Sequence, residues 1–214
     1  MMTTANISTE DKNGLGFSAM SNDFQRISTT YRLLKELELS VDMIDELYIM
    51  NTSNNLPYHN FQHLLTVANR AVQGARYYNL SHTVQKALII AGLCHDANYI
   101  VGEAENVNIP RAKRSAQQLC ENFGIKEETT TQVMTLIDAT EFPHYVVKTI
   151  EEQVIQDADL MQNLEEDCAK FLKGLCQEKN DDTIADPAFP TVAGFNTQWA
   201  KELYSQKFHK TTVL

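Results

Sequence analysis

The stretch Y-H-N-F-Q-H, residues 58–63, carries His59 and His63 four residues apart. On a helix that spacing puts both side chains on one face. The stretch A-G-L-C-H-D, residues 91–96, closes an apolar run with His95 beside Asp96. A lone histidine there would read as a partner for a helix C-terminus. A third stretch, V-I-Q-D-A-D-L-M from 154, sets Asp157 and Asp159 among Val154, Ile155, Ala158, Leu160, Met161 and Leu164. Aspartate is a poor helix-interior residue, and two residues apart the pair does not share a face, so at least one turns toward the protein. Titratable groups in apolar surroundings cost free energy unless compensated. A divalent cation takes imidazole nitrogen and carboxylate oxygen. Two histidines and two aspartates around one would leave positions open for water and substrate. The expected cofactor is therefore a divalent metal ion (Mn, Mg, Zn, Co or Fe).

The elements that must position these groups read as helices. F-Q-R-I-S-T-T-Y-R-L-L-K-E-L-E-L, from residue 24, repeats apolar residues at Ile27, Tyr31, Leu34 and Leu37, a spacing of three to four. Ser40 reads as the cap of a second helix, and Pro57 predicts a third that begins just after it and runs from Tyr58 to Tyr78. Ser81 caps a fourth that ends at the His95–Asp96 pair. A loop over 97–110 follows, with Pro110 in the first turn of the next helix and Gly124 as its left-handed stop. Further helices are expected over 126–140 and 150–179, then near the end of the chain after a second loop. No strand pattern, repeat or Gly-x-Gly phosphate loop appears. The expectation is an all-α, single-domain helical bundle over 21–214, with 1–20 as a flexible tail.

The 214 residues carry a formal net charge of −10. That argues against nucleic acid or an anionic membrane as partner. The four cysteines form no C-x-x-C pair, and no secretory leader is read, so reduced thiols and a cytoplasmic location are expected. The longest apolar run is too short to span a bilayer. A homo-oligomer is compatible with the sequence.

The order His63…His95-Asp96…Asp159 resembles that of the HD superfamily of metal-dependent phosphohydrolases. Y-H-N-F-Q-H is similar to the Y-H-N-x-x-H of class I cyclic nucleotide phosphodiesterases and of a group of small bacterial HD phosphohydrolases. G-L-C-H-D-A-N-Y, L-I-D-A-T-E-F-P-H and Q-D-A-D-L-M-Q-N-L are similar to that group's F-H-D-x-x-Y, L-I-x-x-T-x-x-H and D-A-D-L-x-x-L-G. The resemblance covers roughly residues 25–165. It implies an HD-type helical fold and a metal held by His63, His95, Asp96 and Asp159, with Asp157 as the alternative to Asp159. It implies hydrolysis of a phosphoester by metal-activated water, with His59 protonating the leaving oxygen and Asp96 or Asp157 orienting or deprotonating the water. His144 matches a histidine that in related proteins lines the site or holds a second metal.

Where the small group has N-E-x-x-S-A, this chain has R-A-K-R-S-A. Arg111, Lys113 and Arg114 thus form a cationic cluster in an acidic protein: either a solvated face or a contact for substrate phosphate. A small phosphorylated substrate, by default a nucleotide, is the implied partner. Tyr99, Phe142, Tyr145, Phe195 and Trp199 are candidates for stacking on a base. Two other classes are weighed against a hydrolase. One is a non-catalytic metal- or nucleotide-binding module. The other is a di-iron HD oxygenase, which needs further histidines between Asp96 and Asp159, where only His144 stands.

Overall fold

The computed structural model of the chain describes residues 14–141, 146–181 and 194–209. Among these the regular elements are all helical: α1 (Gly14–Glu36), α2 (Asp42–Met50), α3 (Phe61–Tyr77), α4 (His82–Cys94), α5 (Glu105–Asn122), α6 (Glu127–Ala139), α7 (Ile150–Leu160), a 3-10 turn (Met161–Leu164), α8 (Cys168–Lys179) and α9 (Gln198–His209). The all-α reading holds. No helix among the described residues is long and apolar enough to cross a membrane, and all four cysteines are free.

Several ends follow from local chemistry. The Asn60 side chain accepts from the backbone N–H groups of Gln62 and His63 and so caps α3. Ser81 caps α4 through Val84 N–H. Thr149 and Glu152 form a reciprocal capping box on α7, which satisfies two otherwise orphaned donors. Gly124 takes φ +62° after α5, the left-handed stop the sequence predicts.

α4 is the central element. Residues Ala87 to Cys94 are buried on every face, as expected of a helix that is apolar all round. It lies between α3 and α6, and α7 packs on α3. At Gly92 the approach to α3 is so close that a Cβ would stand 2.6 Å from Ala68 Cα. A tight contact at the small residues before His95 is what the sequence predicts.

Three boundaries differ from the sequence reading. α1 begins at Gly14, inside the stretch expected as a tail; residues 1–13 lie outside the described residues. α5 begins at Glu105, so Pro110 sits inside the helix rather than in its opening turn, and the preceding loop is shorter than expected. α3 begins at Phe61, with Asn60 in extended conformation at its cap. His59 therefore precedes the helix, and the shared helical face expected for His59 and His63 does not exist.

Candidate metal centre

Four side chains from three helical elements meet at one point. His63 stands in the first turn of α3, fixed there by the Asn60 cap. His95 is the residue after α4, and Asp96 follows it in the turn. Asp159 comes from the last turn of α7. One donor atom from each lies within 4.8 Å of the other three. His63 Nε2 is 3.1 Å from His95 Nε2, 3.3 Å from Asp96 Oδ2 and 3.1 Å from Asp159 Oδ1. His95 Nε2 is 3.0 Å from Asp96 Oδ2 and 3.4 Å from Asp159 Oδ1.

These spacings fit a cation. Donor atoms about 2.1 Å from a common centre lie about 3.0 Å apart at right angles and about 3.4 Å apart in a tetrahedron. The tautomers fit as well. His95 Nδ1 donates to the carbonyl of Gly92 at 3.0 Å, and His63 Nδ1 faces Gln162 Oε1 at 3.2 Å. With both Nδ1 atoms as donors, both Nε2 lone pairs point inward, the arrangement that ligating histidines adopt. Two such lone pairs 3.1 Å apart need a proton or a metal ion between them.

The electrostatics agree. Burial opposes charge on both imidazoles, but Asp96 and Asp159 overcome it, so His63 is raised and His95 is raised well above the ordinary value. Burial likewise opposes ionisation of Asp96 and Asp159, and the histidines hold both well below the carboxylate range. The pocket is thus a carboxylate pair that draws positive charge toward two nitrogens. His63 and His95 are 0% and 1% exposed. The Tyr58 ring centroid lies 4.7 Å from that of His63. Burial, with Asp159 and Asp96 adding to it, keeps the Tyr58 phenol neutral.

His59 lies beside this cluster, with Nε2 3.9 Å from Asp96 Oδ2. Its Nδ1 is held by Glu178 Oε2 of α8, and the other oxygen of Glu178 accepts the backbone N–H groups of Tyr58 and His59. Burial opposes ionisation of Glu178; His59 and these N–H groups outweigh it and lower its pKa. Tyr99 stacks on the His59 ring, centroids 3.8 Å apart and planes 10° from parallel. Lys179 donates to the Tyr99 hydroxyl at 3.0 Å. α8 reaches this position because Gly174, one turn before Glu178, has no side chain: a Cβ would stand 2.6 Å from the Pro57 carbonyl carbon.

Asp157 is not part of this group. It is fully buried, and its carboxylate accepts the backbone N–H of Asn196 at 2.8 Å and of Thr197 at 2.7 Å. Thr197 Oγ1 in turn accepts from Ala200 N–H at 3.2 Å, so Asp157 anchors the entry to α9. Of the two aspartates, Asp159 is the one that meets the histidines, whereas Asp157 faces the backbone of residues 196 and 197.

The expected cationic cluster is largely neutralised. Arg111 pairs with Glu103 at 2.7 Å and with Asn108. Lys113 pairs with both oxygens of Asp138. Arg114 is exposed and joins no residue of the centre. Phe195 and Trp199, 2% and 4% exposed, belong to the core, and Trp199 packs against Gly74. His144, Phe142 and Tyr145 lie outside the described residues.

Sequence reasoning missed Glu178 and Gln162. Glu178 stands outside every quoted motif, Gln162 falls at an unspecified position of Q-D-A-D-L-M-Q-N-L, and each reaches its histidine from far along the chain. The one signal for Gln162 is its place three residues after Asp159. No family model matches the chain, and no curated protein matches it.

Proposed function

We propose that this chain is a metal-dependent phosphohydrolase of the HD type, acting on a nucleotide or related phosphoester. The observation that carries this reading is the convergence of His63, His95, Asp96 and Asp159, in that order along the chain, with both imidazole Nε2 atoms turned inward. His63, His95, Asp96 and Asp159 would hold the ion. A divalent cation there supplies Lewis acidity toward a phosphoryl oxygen and lowers the pKa of water toward neutrality.

The chain's own residues supply the rest. Glu178 fixes His59 with Nδ1 occupied, which leaves Nε2 facing the space beside Asp96. From there Nε2 can hand a proton to a departing alkoxide, a contribution typically of about 10²–10⁴-fold. Tyr99 stacks on one face of the ring and restricts its rotation. Asp96, next to both His95 and His59, would orient an attacking water.

The test is a metal-supplemented screen of nucleoside mono-, di- and triphosphates and cyclic nucleotides, run beside the His95→Ala variant. Release of phosphate or of a ring-opened nucleotide by the native chain alone supports the reading. A chain that binds a stoichiometric ion and turns over none of the panel is instead a binding module. Consumption of O₂ with two irons per chain would make it an oxygenase.

A further inference from the structure

Asp159 and Gln162 stand three residues apart, and they take opposite nitrogens of the same imidazole. Asp159 Oδ1 is 3.1 Å from His63 Nε2, while Gln162 Oε1 is 3.2 Å from His63 Nδ1. The change from α7 to the 3-10 turn at Met161 lies between them. Asp159 stands in the last turn of α7 and Gln162 in the 3-10 turn that follows, so successive turns of one segment reach the two nitrogens of the ring. Gln162 is 1% exposed, and its Nε2 is buried without a hydrogen-bond partner among the described residues. An amide held with one end unpaired is being oriented by its other end.

We infer that Gln162 is the positioning residue of the metal centre: it fixes His63 as the Nδ1–H tautomer and aims Nε2 at the ion. The opposite amide orientation would present N–H groups to Nδ1. That would drive the ring proton onto Nε2 and close the nitrogen that the cluster uses. The role rests on the metal-binding part of the proposed function and is independent of which phosphoester, if any, is hydrolysed.

The experiment uses the full chain and its Gln162→Leu and Gln162→Glu variants. Zn²⁺ dissociation constants are read by competition with a chelator, and the His63 ring is followed by ¹⁵N-edited NMR. Leucine keeps the bulk and removes the acceptor, so Zn²⁺ affinity should fall by about 10–100-fold, and the slowly exchanging Hδ1 proton of His63 should disappear. Glutamate restores an acceptor with a full charge, so Hδ1 should persist and Zn²⁺ should bind at least as tightly as to the native chain. A residue that merely filled space would not move in these two directions.

If Gln162→Leu binds Zn²⁺ as the native chain does and retains Hδ1, the inference is overturned. If Gln162→Leu does not fold, Gln162→Glu decides: loss of Hδ1 or weaker Zn²⁺ binding overturns it as well. A native chain that takes up no ion overturns the metal reading, and the positioning claim that rests on it, whereas native uptake with an unchanged Gln162→Leu variant overturns the positioning claim alone.

Discussion

Gly92 and Ala68 touch backbone to backbone: a Cβ on Gly92 would fall 2.6 Å from Ala68 Cα and 2.7 Å from Ala68 N. Gly92 also gives its carbonyl to His95 Nδ1, and Ala68 lies on α3, the helix that begins beside His63. The contact therefore joins the two helices that carry the imidazoles. Gly92→Ala should destabilise the fold by about 1–3 kcal/mol, the usual range for overpacking, and weaken divalent-ion binding with it. Thermal melts with and without Mn²⁺ check both.

The two aspartates of Q-D-A-D should separate in their effects. Asp159→Asn should abolish stoichiometric ion binding and also lower the melt of the metal-free chain, because it removes a carboxylate that pairs with the imidazoles of His63 and His95. Asp157→Ala should keep the ion but strand the N–H groups of Asn196 and Thr197, at about 1–3 kcal/mol for each buried donor left unpaired. Elemental analysis of dialysed protein, paired with urea unfolding, distinguishes the two.

On the proposed hydrolytic reading, His59→Ala should retain the ion and lose about 10²–10⁴-fold in turnover. Glu178→Gln should lower the rate in the same direction by less, since the ring remains packed on Tyr99. Equal metal content with unchanged rate in His59→Ala would remove this residue from the chemistry.

Stabilisation by metal should grow with pH. His63 and His95 bind protons more tightly in the metal-free fold than in the unfolded chain. That contribution to stability is complete below the unfolded imidazole value of about 6.5 and is lost as pH rises through the raised folded values. An ion displaces those protons, so it competes with them at low pH and replaces them at high pH. The increase in melting temperature on adding Zn²⁺ should be larger near about pH 8 than near about pH 6. An increase that does not change over this range would contradict the protonation pattern.

Much of the fold was legible because its signals are local. The apolar spacing of Ile27, Tyr31, Leu34 and Leu37, the Ser81 cap and the Gly124 stop each act within a turn or two of chain. The four side chains that could hold an ion were legible as residue types that would be costly in apolar surroundings without a partner. The start of α3 was misplaced by three residues because Pro57 marks a change of direction without saying how soon the helix begins; the Asn60 side chain decides that. Asp157 and Asp159 were not separable by residue type, since the difference lies in what stands opposite each: backbone N–H groups of residues 196 and 197 for one, two imidazoles for the other. The pairing of Arg111 with Glu103 and of Lys113 with Asp138 was hidden for the same reason. Charge clusters in sequence show neither their counter-ions nor their direction.

Gly174 admits α8 to the Pro57 carbonyl, and Glu178 arrives with it. Among the described residues, every side chain that could hold an ion lies at or before Asp159 and its neighbour Gln162, whereas the carboxylate behind His59 comes from this later segment. Affinity and reactivity thus have separate addresses along the polypeptide. A substitution that merely pushes α8 outward, such as Gly174→Val, would leave a cation trap intact and silence whatever chemistry His59 performs beside it.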